Sequence, residues 1–98
     1  MMTHYGLIGY PLGHSFSPAY FSKKFKTIGL EATYKAYPIL SIEEFPRLIS
    51  KISFAGMNVT IPYKEAIIPY LDEIDENALK TGAVNTIAFK DGKTKGYN

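Results

Sequence analysis

Residues 5–18 read Tyr5-Gly6-Leu7-Ile8-Gly9-Tyr10-Pro11-Leu12-Gly13-His14-Ser15-Phe16-Ser17-Pro18, and the succession of residue types in this stretch sets the fold class. Residues 5–8 are a short apolar run that Gly9, Pro11 and Gly13 bring to an end, the pattern of a buried strand feeding a loop. Ser17 followed by Pro18 makes a good N-cap and first helical residue: the serine oxygen accepts from an otherwise unpaired N–H, and proline has none to satisfy. Phe21, Phe25 and Ile28 then recur at helical spacing until Gly29 stops the helix. A strand, a loop and a helix in that order are the unit of a parallel α/β sheet.

The rest of the chain repeats the alternation. Residues 33–38, rich in Tyr and Ala and bounded by Pro38, predict a second strand. Ser41-Ile42-Glu43-Glu44 fits a capping box, with Phe45, Leu48, Ile49 and Ile52 as the apolar stripe of a second helix. Pro46 falls in the fifth position of that helix, where it removes a backbone hydrogen bond, so the helix is expected to begin later than the box suggests. Residues 55–59 form a further short strand, and Ile61-Pro62 restarts a helical turn that Pro69 must end or kink. Asp75 caps a short helix running from about Glu76 to Gly82. Residues 83–89 and 93–97 flank Asp91-Gly92, the strongest hairpin signal in the chain. Residues 1–98 are therefore expected to form a single small α/β domain with a mixed, mainly parallel sheet flanked by helices.

Composition agrees with one folded unit. The chain has 98 residues, 46% of them hydrophobic and 20% charged, which suits an ordinary globular domain and rules against disorder. Its net charge of +2 comes from 11 basic and 9 acidic residues without a clustered stripe, so nucleic acid is not an expected partner. There is no cysteine and there are 2 histidines, too poor a set for a disulfide framework or a metal site. The first residues carry no basic region followed by a long apolar run, and no stretch approaches the roughly 18 apolar residues of a membrane span. A cytoplasmic location is the default expectation, and the acceptor-like triplet Asn58-Val59-Thr60 then reads as coincidental for glycosylation.

Three polar clusters carry the chemistry. Gly13-His14-Ser15-Phe16-Ser17-Pro18 sets two hydroxyls beside a helix amino terminus, where N–H groups and the dipole favour an anion such as a carboxylate. The plainer alternative is that Ser17 caps the helix and Ser15 is solvated. Asn58-Val59-Thr60-Ile61-Pro62-Tyr63-Lys64 puts an amide, a hydroxyl and an ammonium just past the end of a strand, where open α/β sheets collect ligands. A lysine there can move a proton if its pKa is lowered, although a solvated lysine is the commoner fate of that residue. Gly82-Ala83-Val84-Asn85-Thr86 offers a further amide, which alone could be a turn asparagine. His14 has no evident partner and stays outside the catalytic set. Gly6, Gly9 and Gly13 do not fit G-x-G-x-x-G, and no phosphate-binding G-x-x-x-x-G-K-[ST] occurs, so no nucleotide cofactor is expected to bind these residues.

These three clusters, in this order and after the opening Gly6-Leu7-Ile8-Gly9-Tyr10-Pro11, resemble the N-terminal, substrate-binding domain of shikimate dehydrogenases over nearly the whole chain. The resemblance implies that Ser15 and Ser17 hold the substrate carboxylate and that Asn58, Thr60 and Asn85 hydrogen-bond its ring hydroxyls. It makes Lys64 both a substrate contact and the catalytic lysine. The implied reaction reduces 3-dehydroshikimate to shikimate with NADPH, in aromatic amino-acid biosynthesis. In that family the lysine works with an aspartate that follows a Gly-x-Asn-Thr-Asp motif, of which Gly96-Tyr97-Asn98 is the start.

On this reading the chain is a substrate domain without its NADP-binding Rossmann partner. It is expected to be inactive by itself, to bind a shikimate-type small molecule, and to self-associate through the surface a second domain would cover. Two other classes stay open on sequence alone: a stand-alone binding module for shikimate- or quinate-type molecules without chemistry, and an α/β interaction domain without a ligand.

Overall fold

The computed structural model describes residues 3–12 and 31–98. The helix expected over residues 17–28 lies outside the described residues, as do His14, Ser15 and Ser17. Within them, strand β1 (Thr3–Gly9), strand β2 (Ala32–Pro38) and strand β3 (Phe54–Val59) pair in parallel, with β1 between the other two. Strand β5 (Thr86–Lys90) joins β3 antiparallel and strand β6 (Lys93–Tyr97) joins β5 antiparallel. A two-residue strand β4 (Glu73–Ile74) closes the edge, parallel to β6, so the six-stranded order is β2-β1-β3-β5-β6-β4.

Alternation along the strands separates two faces. Ile8, Met57, Val59 and Ile87 point to one face and join Phe45, Ile67, Ala78 and Val84 in a buried core. Phe54 anchors its aromatic part, edge-on to Tyr37 at 5.5 Å and tilted against Phe89 at 5.9 Å, geometries that ring quadrupoles favour. The opposite face carries Tyr34, Leu7 and Asn58, related by the β1–β2 and β1–β3 registers, and Tyr34 and Leu7 are also buried.

The conflict between the capping box and Pro46 is resolved by dividing the helix. Ser41 and Glu44 complete the box around a 3-10 turn, Ile42–Glu44, with the Glu44 carboxylate accepting from the Ser41 N–H at 3.0 Å. Helix α1 (Phe45–Lys51) starts after it and places Pro46 in its first turn, where a missing N–H costs nothing. Helix α2 (Glu76–Thr81) has the expected ends: Asp75 accepts from the Ala78 N–H at 2.8 Å, and Gly82 closes it at φ 74. The hairpin between β5 and β6 turns at Asp91 (φ 51) and Gly92 (φ 76), the left-handed pair that Asp-Gly supplies.

Two expectations need correction. Pro69 does not end a helical turn begun at Ile61-Pro62: it lies in the first turn of a 3-10 helix, Ile68–Tyr70, that begins there. Proline's fixed φ and absent N–H suit that position. The strand expected over residues 83–89 begins at Thr86: the Val84 N–H turns to the Lys64 carbonyl, away from the sheet, and Asn85 bonds Tyr97 and Val59 just ahead of the first paired residue.

Candidate functional site

The parallel strands β1 and β3 end side by side, and their following loops are tied together. The Thr60 N–H donates to the Ile8 carbonyl at 2.9 Å, and the Tyr10 N–H donates to the Ile61 carbonyl at 3.0 Å. Gly9 makes that approach feasible. A Cβ there would overlap the Thr60 methyl and lie 2.9 Å from Leu12 Cδ2 and 3.0 Å from the Ile61 carbonyl oxygen. Thr60 is thus held over β1, and its carbonyl accepts from the Tyr63 N–H at 3.0 Å in the turn that carries the chain to Lys64.

The segment before β5 folds onto the same end of the sheet. The Val84 N–H donates to the Lys64 carbonyl at 2.7 Å, and the Val59 N–H donates to the Asn85 carbonyl at 2.9 Å. The Asn85 N–H in turn donates to the Tyr97 carbonyl at 2.9 Å, and Asn98 Nδ2 to the Ala83 carbonyl at 3.1 Å. These bonds gather the Asn-Val-Thr, Gly-Ala-Val-Asn and Gly-Tyr-Asn segments, distant in sequence, at the end of the sheet where β1 and β3 terminate. That edge is where open α/β sheets form ligand sites.

The side chains continue the pattern. Asn58 lies opposite Thr86 across the β3–β5 pairing, and its Nδ2 is 3.4 Å from Thr86 Oγ1. Thr86 donates to Asn85 Oδ1 at 3.0 Å, and Tyr34 reaches from β2 across β1 to donate to Asn58 Oδ1 at 2.7 Å. Burial pushes the Tyr34 phenol above its ordinary value, which keeps it protonated as a donor. Lys64 is exposed, in an open depression shared with Ile61, Pro62, Glu65 and Ala83. No described residue forms an ion pair with its ammonium.

Asn58, Thr60 and Asn85, singled out from sequence, therefore come together at this end of the sheet, the two asparagine amides share one hydrogen-bond chain, and the backbone of Lys64 is tied to Val84 next to them. Tyr34 and Thr86 are the site residues that the sequence reading missed. Thr86 stood next to Asn85 in a quoted motif, whereas Tyr34 reads locally as one more strand tyrosine. Among the described residues no cluster of His, Cys, Asp and Glu could hold a metal ion, and no helix is long and apolar enough to cross a membrane.

Residues 7–87 match the family model described as the shikimate dehydrogenase substrate binding domain. A shikimate dehydrogenase (NADP(+)) of Staphylococcus aureus (strain MRSA252) is 50% identical over 97 residues, covering 96% of this chain and 36% of the relative. The crystal structure of shikimate 5-dehydrogenase from Thermus thermophilus, in complex with NADP(H) and shikimate, superposes with a TM-score of 0.87 at 34% identity, covering 98% of this chain and 37% of that one. The ligand-free 5-ketofructose reductase of Gluconobacter sp. strain CHM43 superposes with a TM-score of 0.92 at 26% identity, covering 100% of this chain and 36% of the reductase. The chain spans about a third of the length of these proteins.

Proposed function

Because the chain belongs to the shikimate dehydrogenase substrate-binding domain family, we propose that it binds shikimate and 3-dehydroshikimate at the end of its sheet and supplies the substrate side of their NADP-dependent interconversion. The observation that carries this reading is the meeting of Asn58, Asn85 and Thr60 where β1 and β3 end, with the Lys64 backbone tied to Val84 next to them. Two amides and a hydroxyl at and beside the strand ends suit a ring bearing several hydroxyls, since each can donate to one oxygen and accept from another. Ser15 and Ser17 take the carboxylate in this reading.

Lys64 takes the proton-transfer role. Reduction of a ring carbonyl leaves a developing alkoxide, and an ammonium within reach supplies the proton; in the reverse direction the amine removes it. Its exposed position leaves the ammonium accessible to a bound ring, and the bond from the Val84 N–H to its carbonyl ties its backbone to the segment that carries Asn85.

We assign the described residues no part in holding a dinucleotide. Neither described helix follows a strand through a glycine-rich turn, the arrangement that receives a pyrophosphate: α2 follows β4 through Asp75, and α1 follows a 3-10 turn. By themselves these 98 residues position the substrate and do not complete hydride transfer. The location we assign is the cytoplasm. Self-association of the isolated chain follows from exposed apolar residues around the site, with Ile61 71% exposed.

An NMR titration with shikimate tests the assignment. Shifts should concentrate at Ser15, Ser17, Asn58, Thr60, Lys64 and Asn85 at millimolar ligand. Shifts scattered elsewhere, or none, would defeat it.

A further inference from the structure

Tyr34, Asn58, Thr86 and Asn85 form one chain in which the role of each group dictates the next. Thr86 has a single hydroxyl proton, directed at Asn85 Oδ1 3.0 Å away, so towards Asn58 it can only accept. Asn58 must then turn Nδ2 to Thr86, at 3.4 Å, and Oδ1 to Tyr34, at 2.7 Å, and Tyr34 must donate. Reversing the Asn85 bond disturbs the rest of the chain. If Asn85 offered Nδ2, the Thr86 hydroxyl would either accept from both amides, leaving its own proton without a partner in the chain, or donate to Asn58 Oδ1 and force Asn58 to donate to the tyrosine oxygen.

The two orders present opposite faces to a ligand. In the order found, Asn85 commits Oδ1 to the chain, and no described residue accepts from its Nδ2. The tyrosine end biases the chain towards this order, because a phenol is a better donor and a poorer acceptor than an aliphatic hydroxyl. Tyr34 is well placed for it, 5% exposed and anchored on β2, two strands away from Asn58.

We infer that Tyr34 and Thr86 are positioning residues that jointly set the polarity of the Asn58 and Asn85 amides, so that Asn85 presents an N–H donor to an oxygen of the bound ring. The ligand half of this inference rests on the proposed shikimate site. The coupling of the two amides does not.

The test uses the 98-residue chain with ¹⁵N labelling, comparing it with Tyr34→Phe, Thr86→Val and Thr86→Ser. Tyr34→Phe and Thr86→Val should each move the side-chain amide signals of both Asn58 and Asn85, while the backbone signals of β1 and β3 away from the altered residue stay in place. Each should weaken shikimate about tenfold, the effect of losing one oriented hydrogen bond, and Thr86→Ser should restore both readouts. The inference is overturned if Tyr34→Phe moves the Asn58 amide and leaves Asn85 unchanged, or if Thr86→Val binds shikimate as tightly as the original; the proposed function survives either result. If the original chain shows no shikimate shifts at Asn58 and Asn85, the proposed function falls, and the side-chain amide signals alone decide whether the polarity is shared.

Discussion

The methyl group of Thr60 occupies the space where a side chain at Gly9 would begin, and the Ile61 carbonyl oxygen closes the same space from 3.0 Å. The glycine on β1 and the threonine after β3 are therefore one packing unit, and the position of the Thr60 hydroxyl depends on the absence of a Cβ on the neighbouring strand.

Gly9→Ala is expected to push Thr60 off β1. Overpacking of this kind typically costs about 1–3 kcal/mol, and the displaced hydroxyl should also weaken shikimate binding. Chemical denaturation together with a shikimate titration would check both effects. A variant as stable and as tight-binding as the original would show that the Thr60 loop yields without consequence.

Lys64→Met keeps much of the stem and removes the ammonium. Placed in a chain that joins these residues to a dinucleotide-binding domain, it should lower kcat by about 10²–10⁴-fold and change KM much less. Ser15→Ala should do the opposite, raising KM more than it lowers kcat, since it removes a contact made in ground and transition states alike. Steady-state kinetics separate the two. A Lys64→Met enzyme with raised KM and near-original kcat would make Lys64 a binding residue.

Acid sensitivity should centre on Asp72. The Thr94 N–H donates to its Oδ2 at 2.7 Å and the Thr94 hydroxyl at 3.1 Å, and together with the Lys93 charge they hold this carboxyl below its ordinary value of 3.8. A carboxyl depressed in the folded state stabilises above its unfolded value, and that stabilisation fades as pH falls through the folded value. Asp72→Asn should therefore be less stable than the original near neutrality, with the gap closing in acid. Urea midpoints measured from neutral pH down to about 2 would show it. A gap constant with pH would remove Asp72 from the acid response.

The isolated chain should sediment as a concentration-dependent mixture, because exposed apolar residues such as Ile61 and Leu79 have no cover. Ile61→Ser should shift that mixture towards monomer if the site face is the contact. Analytical ultracentrifugation of both chains across a concentration series checks this, and a monomer at every concentration would end the idea.

Local chemistry made much of this molecule readable in advance. Asp75, Gly82 and Asp91-Gly92 act within a few residues of themselves, so their roles as cap, stop and hairpin turn survive into the structure. Ser41 and Glu44 likewise form their box, and Pro46 is accommodated by dividing the helix as its missing N–H demands. Asn58, Thr60, Lys64 and Asn85 stand out as candidates because their motifs carry polar groups at the ends of strands. What stayed hidden depends on register between distant strands. Tyr34 becomes a partner of Asn58 because β1 lies between β2 and β3 in one particular alignment. Strand β4 has two residues and no periodicity, and exists because β6 passes beside it.

That last pairing constrains the order in which the domain can be made. Strand β6 is translated after every other strand of the sheet, yet it sits inside, between β5 and β4. Until it emerges, β4 has no neighbour, the Asp75 N–H lacks its Gly96 acceptor and Asp72 lacks Thr94. Synthesis runs at roughly 5–20 residues per second, so the nascent chain spends a second or more with residues 72–75 already made and their binding partners not yet translated. The exposed flank of β5 is then an unpaired edge, a place where nascent chains associate wrongly. A translational pause just before residue 93 would prolong that vulnerable interval, whereas rapid passage through the closing hairpin would seal the edge and settle the acidic loop in a single step.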